Sequence, residues 1–320
     1  MKSSLIVHPE ELSKRWVDRL ADAVVDTIGI HPRGGADAVG SLGELCARMQ
    51  TPEYRALVDY ARGRGLHVAY EMHAAGYLVP RDLFPEHPEY FRMNPAGERT
   101  ADYNFCVTNE AALTLYATRA AELAQALYGS DHDFYFWMDD GYALHCHCPR
   151  CRHMSASDQQ MLVLNRTLVE IRRHLPDARM AYLAYMDTMV PPTIAPEEGI
   201  FLEYAPFQKY TATGEDAPRR IAQEQEMLVP LMQTFGGEGA KVLEYWYDNS
   251  LFSAWKKPPK HFSLRRDEME WDIAEYRRMG FSEVASFACY LGEDYVELHG
   301  DDVDVVPFSD AARRCEGCDA

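Results

Sequence analysis

The segment FYFWMDD, residues 134–140, decides the fold, because five apolar residues run directly into two aspartates. A short run with no polar alternation is typical of a strand that is covered on both faces, as in a parallel sheet. Seven similar runs lie along the chain, at residues 4–8, 25–31, 68–73, 180–186, 200–204, 242–247 and 284–290. The chain is therefore expected to contain eight buried strands.

Helical patterns separate these eight runs, and eight β/α units in 320 residues are typical of one TIM-type barrel. We therefore predict an α/β fold, an eight-stranded β/α barrel in a single domain over residues 1–310, followed by a C-terminal tail over 311–320. The rival, an open doubly wound sheet, often has a Gly-rich phosphate loop after its first strand. The first run instead leads into Val7-His8-Pro9-Glu10, so we expect no organic cofactor.

Two connections are long, at residues 74–107 and 141–157. Long loops inside a compact domain are usually functional or held by a bound group. Both loops follow strands, so both are predicted on the face of the barrel that carries active sites.

The formal net charge of -18 bears on the partners. A surface this acidic repels nucleic acid and anionic membranes, so neither is expected as a partner, whereas a small neutral substrate fits. The first apolar run, Leu5-Ile6-Val7, is too short for the core of a signal peptide, and we expect a cytoplasmic protein. The sequence leaves open whether the chain forms a homo-oligomer.

Catalytic groups in this fold sit at the carboxyl ends of the strands. Asp139 and Asp140 end the fourth run, and neighbouring like charges raise one pKa, which suits a general acid. Only one of the two can point inward on a regular strand. Glu203 or Glu244 is the expected second carboxylate. The alternatives are an aspartate that caps a helix or holds a cation, and a buried glutamate paired with arginine or tyrosine.

Aromatic and histidine side chains at the other strand ends are expected to line a sugar pocket, because aromatic faces stack on sugar rings and histidines bond hydroxyls. These predicted substrate-binding residues are His31, His73, Tyr185, Trp246, Tyr247 and Tyr290. Carboxylates combined with such groups are what a glycoside-cleaving barrel needs.

The most specific local pattern is C-x-C-x-x-C, formed by Cys146, Cys148 and Cys151. With Cys106 from the preceding long loop, these thiols could hold a structural zinc that ties the two long loops together. Free or disulfide-paired cysteines and a catalytic metal are the alternatives. Cys315 and Cys318 form a C-x-x-C in the last six residues, where a frayed tail is favoured.

Several motifs together resemble a bacterial barrel family known as domain of unknown function 4838. They are residues 84–91, 94–99 and 105–109, the Asp140-Gly141 turn followed by the three cysteines, and the strand at 182–185 leading to Pro191-Pro192. The resemblance covers roughly residues 20 to 300. That family is similar in layout to the hexosaminidase and α-glucuronidase barrels, in which the general acid ends the fourth strand.

The resemblance thus implies that Asp140 is the acid. Hexosaminidases carry an Asp-Glu pair there and this chain carries Asp-Asp, so its acid would lie about one carbon–carbon bond further from the sugar oxygen. We expect a glycosidase-like hydrolase acting on a small glycoside by carboxylate acid/base chemistry. One alternative is a metal-dependent hydrolase or isomerase that uses His8, His31, His73 and Glu203. The other is a non-catalytic sugar-binding barrel.

Overall fold

The computed structural model describes residues 1–314 as a closed barrel of eight parallel strands in chain order, which confirms the predicted fold class. The strands are β1 (Lys2–Val7), β2 (Thr27–Ile30), β3 (His67–His73), β4 (Asp133–Trp137), β5 (Arg179–Ala184), β6 (Ile200–Tyr204), β7 (Lys241–Glu244) and β8 (Glu283–Phe287). β1 pairs with both β2 and β8, which closes the ring.

Helices surround the barrel in the expected β/α alternation. They are α1 (Lys14–Asp22), α2 (Ala38–Arg48), α3 (Pro52–Gly63), α4 (Ala75–Leu78), α5 (Glu110–Ala126), α6 (Ala156–Ile171), α7 (Gln208–Thr211), α8 (Ala217–Glu226), α9 (Leu228–Phe235), α10 (Asn249–Phe252), α11 (Arg266–Arg278), α12 (Glu293–His299) and α13 (Val306–Arg313). Short 3-10 helices lie at Gly35–Asp37, Arg81–Leu83, Pro88–Tyr90 and Met186–Thr188.

Each strand places alternate side chains inside and outside the barrel. On β4, Tyr135 and Trp137 belong to the inner core, whereas Phe134 and Phe136 pack outward in the core shared with the helices. Both faces are buried, which explains why the sequence shows apolar runs without alternation. The alternation also decides which residues at a strand end can face the mouth of the barrel.

The long segment between β3 and α5 is tied to the end of β4. Asp139 forms an ion pair with Arg81, and its carboxylate accepts hydrogen bonds from the backbone N–H groups of Gly76 and Asn104. The Asn104 side chain in turn accepts from the Asp139 backbone N–H at 2.8 Å. Asp139 thus anchors this segment over the carboxyl end of the barrel.

The C-terminal helix α13 packs against the start of the chain. Phe308 is buried, and the N-terminal amine of Met1 donates to the Ala312 carbonyl at 2.9 Å. The predicted division at residue 310 therefore falls inside a packed helix. Cys315 and Cys318 lie outside the described residues. Over residues 1–314, the helices are all too short or too polar to cross a lipid bilayer.

Candidate active site

A cavity of about 530 Å³ opens at the carboxyl ends of the strands, and all eight strand ends or their loops contribute to its wall. Its size lies within the range of about 300–1,000 Å³ typical of small-molecule sites. The residues that line it include His8, His31, Arg33, Asp37, His73, Trp137, Asp140, Tyr185, Met186, Tyr245, Asp248, Trp255, Phe287 and Tyr290. Of the predicted substrate-binding residues, His31, His73, Tyr185 and Tyr290 lie here.

Asp140 lies in this wall and Asp139 does not, because the strand ends at Trp137 and the chain then turns. Burial raises the pKa of the Tyr185 hydroxyl well above its ordinary value, and the nearby Asp140 carboxylate raises it further. A β-carbon added to Gly34 would lie 3.8 Å from Asp140 Oδ2 and 3.5 Å from His73 Nε2. Asp140, Tyr185 and His73 therefore converge on one side of the cavity, and Gly34 leaves the space between them open.

Asp248 is a second buried carboxylate on the cavity wall. It follows β7 and caps α10, since its Oδ1 accepts from the backbone N–H groups of Ser250 at 3.0 Å and Leu251 at 3.2 Å, and from the Ser250 hydroxyl at 2.5 Å. Burial raises the pKa of Asp248 to about 6, and these bonds oppose the rise. The sequence patterns did not single out Asp248.

Tyr245 lines the same cavity as these two carboxylates. Burial raises the pKa of its hydroxyl well above the ordinary value, and the negative charges of Asp248 and Asp140 raise it further. The shared wall places the three side chains around one hollow. Sequence reasoning missed Tyr245, although its spacing of two residues from the inward Leu243 was a signal for it.

Glu203 is not on the cavity wall, contrary to the expectation that it shares a site with Asp140. It is fully buried one layer lower, where Oε2 accepts from Trp137 Nε1 at 2.8 Å and Oε1 lies 3.2 Å from Lys241 Nζ. Lys241 also pairs with Glu71 at 2.6 Å. Trp137 lines the cavity above, so its indole separates Glu203 from the open space.

Glu244 points out of the barrel, so the structure corrects its predicted place as well. Its two oxygens accept from the hydroxyls of Tyr210 and Tyr276, each at 2.6 Å, and Lys209 Nζ lies 3.6 Å away. Burial raises the pKa of Glu244 to about 7. Glu244 is a buried carboxylate bound by tyrosines and a lysine, which matches the alternative of a buried glutamate paired with tyrosine.

Trp246 and Tyr247 are also outside the cavity, which corrects two predicted sugar contacts. Trp246 Nε1 donates to Asp272 Oδ2 at 2.9 Å, and the Tyr247 hydroxyl donates to the Asp304 carbonyl at 2.9 Å. Both belong to the core between the barrel and its helices. β7 ends at Glu244, so the strand periodicity does not extend to these residues.

Three histidines form a row around one side of the cavity. The Nδ1 atom of His8 lies 2.8 Å from the His31 carbonyl, that of His31 lies 2.8 Å from the Glu71 carbonyl, and that of His73 lies 2.6 Å from the Met138 carbonyl. Burial lowers the pKa of His8 and holds that of His31 well below its ordinary value. His8 and His31 are therefore uncharged near neutral pH.

The cavity rim is conformationally strained. Met186, Trp255 and Tyr290 have φ angles of 48°, 54° and 62°, in the left-handed region that non-glycine residues seldom adopt. Such residues cost on the order of 1–3 kcal/mol each and cluster at functional sites. Trp255 is 60% exposed, so it presents an aromatic face at the mouth.

The four cysteines predicted as metal ligands come together beside this site. Cys106, Cys146, Cys148 and Cys151 are buried, and their sulfur atoms all lie within 4.8 Å of one another. Cys106 Sγ lies 3.7 Å from Cys148 Sγ and 3.9 Å from Cys151 Sγ, far beyond the roughly 2.05 Å of a disulfide. Within residues 1–314, no second cluster of histidine, cysteine or carboxylate ligands is close enough to share an ion.

That result bears on the proposed metal site of His8, His31, His73 and Glu203. Over residues 1–314, the structure does not bring these four side chains close enough to share a metal ion, and Glu203 lies beneath Trp137. The alternative of a metal-dependent hydrolase therefore has no ligand set in this cavity.

Comparisons with solved structures show the fold. A β-N-acetylhexosaminidase from Bacteroides fragilis is similar at a TM-score of 0.57 with 12% identity, over 97% of this chain and 65% of that one. A β-galactosidase from Marinomonas ef1 gives 0.53 with 11% identity, over 89% of this chain and 54% of that one. The pneumococcal StrH, described by N-glycan recognition and hydrolysis, gives 0.51 with 10% identity, over 97% and 82%.

The chain thus spans about two thirds and about half of the length of the first two structures. No curated protein matches its sequence. A family model described as domain of unknown function (DUF4838) matches residues 45–227, which is more than half of the chain.

Proposed function

This chain belongs to the DUF4838 family, and from that premise we propose that it is a glycoside hydrolase that cleaves a small glycoside with Asp140 and Asp248. The observation that carries the proposal is the open cavity whose wall holds these two carboxylates together with Tyr245, histidines and aromatic rings. The similar barrels of a hexosaminidase and a β-galactosidase agree with it at the level of the fold.

In the proposed reaction, the Asp140 carboxyl gives its proton to the glycosidic oxygen. The bond between that oxygen and the anomeric carbon breaks, and its electron pair stays on the oxygen of the leaving alcohol. Asp248, as the carboxylate, stabilises the positive charge that develops on the sugar. The oxygen of a water molecule then bonds to the anomeric carbon, and the proton that this water loses returns to the Asp140 carboxylate. This assignment replaces Glu203 and Glu244, since neither reaches the cavity.

The remaining wall supports sugar binding. Tyr185 shares the wall with Asp140, Trp137 forms the floor, and Trp255 offers an exposed ring at the mouth. Aromatic faces of this kind stack on the apolar faces of sugar rings. A neutral substrate is not repelled by the negative surface of an acidic protein.

The test is hydrolysis of a panel of aryl and alkyl glycosides by wild-type protein and by D140N and D248N. D140N should lower kcat by about 10² or more on alkyl glycosides and less on aryl glycosides with good leaving groups. D248N should lower kcat on both classes, because charge stabilisation does not depend on the leaving group.

E244Q is the matched control, because Glu244 is a buried carboxylate outside the cavity, and its rate should stay within about twofold of wild type. An unchanged rate of D140N on alkyl glycosides would remove Asp140 as the acid. Binding of sugars with no turnover across the panel would favour a non-catalytic sugar-binding barrel.

We further propose that Cys106, Cys146, Cys148 and Cys151 hold a structural zinc ion. Tetrahedral ligands at about 2.3 Å from zinc lie roughly 3.8 Å from one another, close to the sulfur spacings here. The Met93 N–H donates to Cys146 Sγ at 3.4 Å, and Gln159 bonds both the N–H and the carbonyl of Cys146 at 2.9 Å. A closed four-sulfur site is structural and would tie the two long loops together.

Protein purified without added zinc should contain about one equivalent of zinc, and C148S should lose it and unfold at a lower temperature. C46S is the control, because Cys46 lies apart from the cluster and is half-buried. Less than about a tenth of an equivalent in wild-type protein would overturn the zinc site.

A further inference from the structure

The row formed by His8, His31 and His73 has one fixed hydrogen-bonding direction. A backbone carbonyl can only accept, so each Nδ1 must carry the proton that it shares with the carbonyl of the next strand. A neutral imidazole with its proton on Nδ1 has an unprotonated Nε2, which accepts a hydrogen bond. The fold thus sets the tautomer of three successive histidines in the same sense.

The accepting nitrogens belong to side chains on the cavity wall. The ring centroids are 5.9 Å apart between His8 and His31 and 6.2 Å apart between His31 and His73, so the three rings follow one another along the wall. His73 Nε2 and Asp140 Oδ2 both lie within 4 Å of the β-carbon position of Gly34, so the row reaches the acid.

Burial keeps His8 and His31 uncharged near neutral pH. Glu10, Arg33 and Lys257 act on His8 with opposing signs, and Tyr290 packs against its ring. His31 is enclosed by the other two histidines, Trp137 and Phe287. His73 packs on Trp137 and faces Asp140 across Gly34.

We propose that these three histidines form a wall of hydrogen-bond acceptors that binds free hydroxyls of a neutral sugar and rejects a sugar that carries a carboxylate. The proposal rests on the proposed function for the class of substrate and deepens it. A hydroxyl supplies the donor that each Nε2 lacks, whereas a carboxylate has none to give and meets Asp140 and Asp248 nearby. Arg33, the cation on the wall, is already shared by Glu10 at 2.6 Å, Glu44 at 3.7 Å and Asp37 at 3.8 Å.

The first experiment reads the tautomers without any ligand. Nitrogen-15 NMR of histidine-labelled protein at neutral pH should show His8, His31 and His73 protonated at Nδ1 and bare at Nε2, with signals assigned by single His→Asn variants. Protonation at Nε2, or of both nitrogens, would overturn the wall. This result does not depend on turnover.

The second experiment measures binding of glucose and galactose to wild-type protein, each against the matching uronic acid, which differs only by its carboxylate. The neutral sugars should bind at least about tenfold more tightly. H31N should weaken their binding about tenfold, because asparagine can still donate to the Glu71 carbonyl but has no group at the place of Nε2.

H132N is the matched control, since His132 precedes β4 at the opposite end of the barrel and is 39% exposed. Equal binding of the uronic acids, or full affinity in H31N, would overturn the proposal even if the protein hydrolyses glycosides. Loss of sugar binding in H31N with no hydrolysis of any glycoside would support the wall and count against the hydrolase.

Discussion

The same strands build the open cavity and the closed ion cluster beneath it, yet the two regions treat polar groups differently. On β3, His73 faces the cavity and Glu71 lies two residues lower, and on β7 the same step separates Leu243 from Lys241. In the cluster, Lys241 pairs with Glu71 and Glu203. In the cavity, Asp140 and Asp248 face open space. Depth along a strand therefore separates structural carboxylates from those available for chemistry.

The cluster needs a proton as well as its lysine. Burial raises the pKa of Glu71 to about 8, and the neighbouring Glu203 carboxylate raises it too, whereas Lys241 opposes the rise. Among the described residues, Glu71 Oε2 and Glu203 Oε1 are buried oxygens that accept no hydrogen bond. One protonated glutamate, one carboxylate and one lysine give a cluster with no net charge, which suits a site without water.

The largest expected effect is on the cluster. K241M removes its cation and leaves two buried glutamates, so the free energy of unfolding should fall by about 3–5 kcal/mol. Urea denaturation at neutral pH measures this loss. The triple variant K241M/E71Q/E203Q removes the lysine together with both glutamates that pair with it, and it should recover more than half of the loss. A loss below about 1 kcal/mol in K241M would show that the ion pairs do not hold the barrel.

A smaller effect should appear in the pH dependence of stability. The pKa of Glu71 is raised to about 8 in the folded chain, whereas the pKa of a glutamate in an unfolded chain is about 4.3. The folded state therefore keeps a proton that the unfolded chain releases. This contribution to stability is complete below about pH 4 and is lost as the pH rises through about 8.

E71Q has no carboxyl group to titrate at this position. Between pH 5 and 8, the free energy of unfolding of wild type should therefore fall more than that of E71Q, and the difference should be at least about 1 kcal/mol. Urea denaturation at several pH values checks this. E238Q is the control, because Glu238 is exposed and should leave the wild-type slope unchanged. A slope in E71Q equal to that of wild type would contradict a buried, protonated Glu71.

The contrast between the two regions also explains what the sequence could and could not predict. All eight strands, the barrel and the gathering of four cysteines follow from apolar runs and spacing. The direction of a side chain does not, because these strands are apolar on both faces and show no alternation to count. Glu203 lies one layer below the cavity. Glu244 precedes the cavity residue Tyr245 by one position and therefore points out of the barrel.

The end of β7 shows the same limit most clearly. A strand drawn through Tyr247 makes Glu244, Trp246 and Tyr247 candidates together. The strand stops at Glu244, however, and of residues 244–248 only Tyr245 and Asp248 line the cavity. The turn that achieves this depends on Asp248, which caps α10. Nothing in a single run of apolar residues reveals where the backbone leaves the sheet.

The smallest predicted effect tests these two sides of β7 with one chemical change. Y245F removes a hydroxyl beside Asp140 and Asp248, so kcat/KM on the glycoside found in the panel should fall about tenfold with stability nearly unchanged. Y247F removes a hydroxyl that donates to the Asp304 carbonyl at 2.9 Å, so stability should fall by about 0.5–1.5 kcal/mol with kcat/KM unchanged. Each variant is the control for the other, since both delete one oxygen from a buried tyrosine. Equal losses of activity in both variants would mean that the direction of the side chain at this strand end does not decide function. The distinction between cavity residues and core residues would then not hold at the end of β7.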